Sequence, residues 1–322
     1  MGKKNKIPAD SLSPNQSINP SQYHIPVLLE EVIDGLNIHP AGTYVDCTFG
    51  GGGHAKAILE RLNEKGKLVA FDQDEDAKKN LPGDGRIIFL QYNFRHLQRL
   101  LRLNNITTVD GIIADLGVSS YQFDKAERGF STRYNADLDM RMDQRQKLTA
   151  FNIVTSYSEQ QLHKMFEQYG EVTNAKTLAR TIVQQRETTS LKTIEAFKNA
   201  IREIVKGNPN RYFAQVFQAL RIEVNDETGA LKEMLQQVTG LLNAGGRIAV
   251  ITFHSLEDRL VKIFFRRGTF DEPEENPFIN SIQVNELKVI TRKPIIPSAE
   301  ELKRNPRSAS AKLRIAEKIM MV

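Results

Sequence analysis

Asp46-Cys47-Thr48-Phe49-Gly50-Gly51-Gly52-Gly53-His54 is the stretch that decides the fold. Thr43 to Thr48 is short and β-prone, and His54 to Leu62 carries helical periodicity. Strand, glycines and helix in that order make a loop whose backbone can come close to a ligand and aim amide groups at it. A mere tight turn would need neither flank. Outward from the loop the alternation continues. Lys67 to Asp72 reads as a second buried strand, Asp74 to Asn80 as a short helix and Arg86 to Gln91 as a third strand. Phe94 to Leu103 then reads as a helix and Val109 to Asp115 as a fourth strand. This pattern implies an α/β fold, a doubly wound parallel sheet with helices on both faces. Asp72 falls at the carboxyl end of the second strand, where an acid bonds the ribose hydroxyls of an adenosine cofactor.

After Leu116 the alternation stops, and the next buried strand is Arg247 to Phe253. One crossover needs only a few tens of residues, so the interval holds an inserted helical domain, placed at 128–213. The α/β domain is then 23–127 with 214–322, and residues 1–22, with Lys3, Lys4 and Lys6 among Ser, Pro and Asn, form a mobile tail. Helices are expected over Ser158–Tyr169, Asn174–Gln185 and Thr193–Val205, with Ser158/Gln161 and Thr193 as starts. The insert carries 14 Lys/Arg against 9 Asp/Glu, so the whole net charge of +5 lies there and the rest of the chain is neutral. That fits a phosphate-facing surface and a merely solvated Lys/Arg-rich one equally. A length of 322 residues fits two domains, and 40% hydrophobic residues exclude a disordered chain. The single cysteine, Cys47, excludes an internal disulfide or a Cys-rich zinc site and suits a reducing, cytoplasmic setting. No apolar run is long enough to span a bilayer, so no membrane partner is expected.

Leu241-Leu242-Asn243-Ala244-Gly245-Gly246 ahead of the fifth strand resembles the entry to strand five in class I S-adenosyl-L-methionine (SAM) methyltransferases. The expected strands Leu287–Thr291 and Ala311–Ala316 match the antiparallel pair that ends such enzymes. A carboxylate at Asp46 would repel a dinucleotide's pyrophosphate. A narrower resemblance, to the MraW/RsmH family, rests on ordered strings. These are His24–Glu31, Thr48–His54, Asp115–Ser120, Glu127–Ser131, Leu138–Asp143, Phe217–Arg221, Thr252–Asp258 and Asn305–Ser308. The resemblance implies a Rossmann-like class I fold with a helical domain inserted after strand four. It implies a SAM-dependent enzyme that methylates N4 of a cytosine in small-subunit (16S) rRNA, naked or in the assembled 30S subunit, and it is compatible with a homodimer. Gly52, Gly53, His54, Asp72, Phe94, Asp115 and Gln122 are implied as cofactor contacts.

An exocyclic amine is a weak nucleophile because its lone pair is delocalised into the ring. The site must align it and offer acceptors to its N–H groups. Asp115, nearby backbone carbonyls, Ser119 and Ser120 are candidates, since the Asp/Asn-Pro-Pro-aromatic motif of many amino-methyltransferases is replaced by Asp115-Leu-Gly-Val-Ser-Ser120. His254, at the ligand-facing end of strand five, is the second catalytic candidate, for the base or a phosphate. Asp137, Asp139, Arg141 and Asp143 read as a salt-bridged or RNA-positioning loop rather than a metal site. Arg95, Arg99 and Arg102 share a helical face that could follow phosphates. Rival readings are an NAD-dependent oxidoreductase, which leaves Gly245-Gly246 unexplained, and a non-catalytic RNA-binding protein on the same fold.

Overall fold

The computed structural model describes residues 26–271 and 285–320; the expected tail 1–22, His24, Ile25 and the side chain of Ser120 lie outside the described residues. The chain begins with α1 (Leu29–Leu36), β1 (Thr43–Asp46), α2 (Gly53–Arg61), β2 (Lys67–Phe71) and β3 (Ile87–Leu90). Next come α3 (Leu97–Leu103), β4 (Val109–Asp115), α4 (Ser120–Asp124), α5 (Ala150–Ser156), α6 (Glu159–Gly170), α7 (Ala175–Gln185) and α8 (Ile194–Ala200). The chain closes with α9 (Pro209–Asn225), α10 (Glu227–Leu241), β5 (Leu242–Thr252), α11 (Ser255–Arg267), β6 (Leu287–Val289), α12 (Ala299–Arg304) and β7 (Lys312–Lys318). The sheet runs β3-β2-β1-β4-β5-β7-β6, parallel through β5 and antiparallel at β7 and β6. The order reverses direction between β1 and β4, and the crevice at their carboxyl ends is where such sheets bind ligands.

Period-two alternation sends each strand's side chains to two cores. Val45, Val69, Ile112 and Val250 face α3, α10 and α11, whereas Tyr44, Leu68, Ile113 and Ile251 face α1 and α2. Between β4 and β5 a separate core gathers α5 to α9 around Phe166, Leu178, Phe197 and Leu220. Residue 213 falls inside α9, whose Val216, Leu220 and Val224 belong to that core, so the helical packing continues to the turn at Asp226.

Local differences from expectation have local causes. Residues 75–80 form a 3-10 helix capped by Asp74, whose side chain accepts from the Asp76 amide. The helix after β3 opens with a 3-10 turn, Phe94–His96, capped by Asn93. Ser158 and Gln161 form a reciprocal capping box at α6, as the spacing predicts. Strand β5 starts five residues earlier than Arg247, because Leu242 already pairs with Val109; the chain then bulges at Gly245 (φ +80°) before Arg247 joins Gly111.

Candidate active site

The loop after β1 is held by main-chain bonds to both neighbouring strands: Cys47 N–H to Ile113 O and Phe49 N–H to Phe71 O, each 2.8 Å. Gly50 (φ +50°) and Gly52 (φ +76°) turn the chain through the left-handed region that side chains disfavour. At Gly53 a Cβ would collide with the Pro26 ring, so the helix start and the segment before α1 can touch only if that residue is glycine. The Gly50 amide donates to Asp72 Oδ2 at 2.7 Å, and the Asp74 amide to Asp72 Oδ1 at 2.8 Å. Asp72 therefore shapes the loop as well as lining the cleft.

Three strand-end acids converge here. Asp46 Oδ1 accepts from the Thr48 amide at 3.0 Å, while its buried Oδ2 has no partner among the described residues. Burial pushes Asp46 up to about 7 and Asp72 up to about 6. Asp115 is raised well above the usual carboxylate range by burial and by the charges of Asp46, Glu257 and Glu301, and its Oδ1 is likewise orphaned. His54 Nε2 lies 3.0 Å from the Val27 carbonyl, which can only accept, so Nε2 carries the hydrogen and Nδ1 faces Asp115 Oδ2 at 3.8 Å. Burial lowers His54 to about 4, which keeps the ring neutral near pH 7.

A cavity of about 450 Å³ opens beside this cluster, with Asp46 buried outside its lining. Gly53, His54, Asp72, Phe94, Asp115 and Gln122 line it; Gly52 shapes the turn behind it. Gln122 lies on α4, where Ser119 accepts from the Gln122 amide and Gln122 Oε1 accepts from the Ser119 amide. Its Nε2 donates to Asp74 Oδ2 at 2.6 Å. Arg128 meets the same carboxylate at 2.9 Å and also donates to the Arg141 and Met142 carbonyls. Neither Asp74 nor Arg128 stands out in the sequence; a cap residue two positions after a strand-end acid is the signal it carries.

His254 is not brought to this cavity. It borders a smaller cleft with Ile296, Pro297 and Leu302. Its Nδ1 accepts from the Glu257 amide at the start of α11, and Nε2 lies 3.1 Å from Glu257 Oε1. Glu257 does line the main cavity, beside Arg221 and Glu227. Burial pushes the Glu257 carboxyl up, but His254, Arg221 and the Phe253 amide outweigh it and hold it below its ordinary value. Glu227, His254 and Glu257 place donor atoms within 4.8 Å of one another. A cation there would compete with Arg221, which grips Glu227 through Nε (2.8 Å) and Nη2 (2.9 Å). In the 137–143 loop, Asp139 pairs with Arg141, and Asp143 with Arg145. Arg95 is tied to Asp226 and Glu233, leaving Arg99 and Arg102 as the exposed cations of that face.

A family model described as the MraW methylase family matches residues 21–319. The chain belongs to that family. A ribosomal RNA small subunit methyltransferase H from Azobacteroides pseudotrichonymphae is 53% identical over 92% of this chain and 98% of its own length. The protein of the same name from Bacteroides thetaiotaomicron is 51% identical over 92% and 97%. A solved rRNA methylase from Streptococcus thermophilus covers 92% of this chain and 99% of its own at 12% identity, with a TM-score of 0.40.

The fold of this MraW-family chain is the class I SAM-methyltransferase fold, and its residues suit that cofactor. Asp115, whose buried Oδ1 is orphaned, lines a cleft that would otherwise have to keep its acids neutral, and Asp46, with a second orphaned oxygen, is buried beside the loop that lines it. A ligand with a sulfonium and an ammonium group supplies the missing positive charge.

Proposed function

We propose that this MraW-family enzyme methylates the exocyclic N4 of a cytosine in small-subunit (16S) rRNA, with SAM as donor. The observation that carries the reading is the cleft at the β1/β4 switch point, where glycine backbone and the strand-end acids Asp72 and Asp115, the latter with an unpaired oxygen, surround a space that fits a cationic adenosine cofactor. The names of relatives at about half identity support the small-subunit rRNA substrate. A dinucleotide would set its pyrophosphate against Asp46 and Asp115, which counts against the oxidoreductase reading.

In this proposal Gly53 and Gly52 present the loop, Asp72 bonds the ribose, Phe94 packs on the adenine, and the amide of His54 faces the methionine end. Gln122, fixed by Asp74 and Ser119, closes the adenine side. SAM, when bound, supplies the methyl as an electrophile on a positively charged sulfur. Asp115, ionised once a cation is beside it, offers Oδ1 to an N4 hydrogen and so favours the pyramidal nitrogen that attacks. The N4 proton leaves after the methyl adds, so no strong base is required. Ser119 is engaged in capping α4. His254 acts at one remove, orienting Glu257. A base reaches such a cleft only by leaving its stack, which favours single-stranded or irregular RNA.

No helix of the described residues is long and apolar enough to cross a membrane, which accords with a cytoplasmic enzyme working on ribosomal particles. The test is nucleoside mass mapping of 16S rRNA from cells lacking the gene, then restoration in vitro with the purified protein. We expect loss of one N4-methylcytidine and its return on naked 16S rRNA or on 30S particles, whichever is the substrate. Sedimentation of the active fraction reads whether the working unit is a homodimer. An unchanged modification profile would remove the substrate assignment.

A further inference from the structure

Arg221 lies near the end of α9, and Glu227 is the first residue of α10. Asp226 between them adopts a left-handed conformation (φ +46°), and this sharp turn brings the two side chains together across the helix junction. Glu227 also sits at a helix N-terminus, where the dipole favours a carboxylate. Both side chains line the cavity wall beside Phe253 and Glu257, on the same cavity as Asp115. The Arg221 side chain is only 17% exposed. A buried ion pair of this kind adds little net stability compared with apolar packing, so its place on a ligand cavity asks for another reason.

Glu227 holds Nε and Nη2 in bidentate fashion, and Nη1 has no hydrogen-bond partner among the described residues. The guanidinium plane is therefore fixed with donors to spare, and a planar fork held this way suits two adjacent acceptors. Cytosine offers that pair on its pairing edge, N3 and O2, next to the N4 amine that must approach Asp115. Uracil and N3-protonated bases offer an N3–H, which would oppose a donor and leave buried groups unpaired.

We propose that Arg221, locked by Glu227, reads N3 and O2 of the target cytosine and makes the enzyme selective for that base. This rests on the cytosine-N4 reading above. Arg221 is here a specificity residue, and Glu227 a positioning residue acting through it.

The test is a cycle of protein against substrate. Wild type, Arg221→Met and Arg221→Lys are assayed on a 16S rRNA fragment carrying either cytidine or 3-deazacytidine at the methylated position. SAM affinity and thermal midpoint are measured in parallel. The lysine variant keeps the charge opposite Glu227 and guards against a methionine variant that does not fold. The altered intrinsic nucleophilicity of 3-deazacytidine is common to all enzymes and cancels in the cycle. We expect wild type to lose about tenfold or more in kcat/KM on 3-deazacytidine. Both variants should be slow on cytidine yet lose little further on the analogue, with SAM affinity retained. Equal proportional losses on the analogue in wild type and variants would overturn the proposal, as would full activity of either variant on cytidine. A wild-type enzyme that methylates neither RNA would instead bring down the substrate reading, and this assignment with it.

Discussion

Arg128 and Asp74 form an ion pair of 2.9 Å in which both side chains are almost fully buried. Asp74 belongs to the turn after β2, beside Asp72, and Arg128 lies between α4 and α5. Arg128 also donates to the carbonyls of Arg141 and Met142, and the Met142 amide donates back to Asn225 on α9. One guanidinium thus ties the cleft at the sheet's switch point to the loop ahead of α5, and Asn225 ties that loop to the helix bearing Arg221. The two halves of the proposed site, donor and base, are held in register by buried polar contacts.

Removing one partner of such a pair leaves the other buried and uncompensated. Arg128→Met is expected to destabilise the protein by about 3–5 kcal/mol. Arg128→Met combined with Asp74→Asn should recover part of that loss. Denaturant unfolding of the four proteins measures the coupling. Additive losses would show that the two charges do not depend on each other.

Asp46 offers a pH test with a defined sign. Its folded value, about 7, lies above its ordinary 3.8, so the folded state keeps a proton that the unfolded state releases. That contribution to stability is present below 3.8 and is lost as pH rises through 7. Asp46→Asn removes it while an amide oxygen can still accept from Thr48. The variant's melting temperature should therefore gain on wild type between pH 5 and pH 8, in the absence of cofactor. SAM affinity should fall in the variant, and in wild type should rise with pH across the same range as the acids ionise for a cation. A constant gap between the two melting curves from pH 5 to 8 would show that Asp46 is already ionised.

Asp72→Ala is expected to weaken SAM binding by about tenfold or more, because two effects combine: the lost ribose acceptor and the freed Gly50 amide. The fold should survive, since its two lost bonds lie in the loop and not in a core. Titration calorimetry beside a thermal melt separates the cases. A folded variant with unaltered affinity would contradict the ribose role.

The glycines divide by the space around them. Gly53→Ala should cost about 1–3 kcal/mol, because the Pro26 ring occupies the place of its Cβ and the segment before α1 must shift. Gly83→Ala, with nothing within 4 Å of its Cβ and no positive φ, should be neutral or slightly stabilising. Equal melting temperatures for the two variants would mean that Pro26 is not packed on the loop.

The sheet was legible because buried parallel strands are short apolar runs and their acids fall at strand ends; Asp72 and Asp115 line one cleft, with Asp46 buried beside it. The capped helices were legible where a Ser or Thr preceded the periodic run, as at Ser158 and Thr193. What stayed hidden depends on pairing across long sequence distances. Arg128 finds Asp74, and Glu257 is set by His254 on one side and faced by Arg221 on the other. His254 had the right strand end, but its ring turns back to cap α11, a choice between two faces that spacing alone does not make. Arg95 had the right helical face for phosphates, yet Asp226 and Glu233, far along the chain, occupy it.

Aromatic rings and cations stand together along the cavity. Tyr92 is 49% exposed there, with the Arg145 guanidinium 5.9 Å from its ring centre. Lys125 stands 4.5 Å over Tyr121, and Arg307 5.4 Å over Phe123. All three rings border the cavity, and Arg133, exposed at the same rim, has no ion-pair partner among the described residues. Unstacked bases settle on aromatic faces, and nearby cations neutralise their phosphates. Tyr92→Ala should weaken binding of the rRNA fragment by about 1–3 kcal/mol with little change in salt dependence. Arg133→Ala should instead lower the slope of log affinity against log salt by about one. Neither change should alter SAM affinity. Binding isotherms over a salt series distinguish stacking from charge, and wild-type isotherms for both variants would mean that the RNA enters from another side.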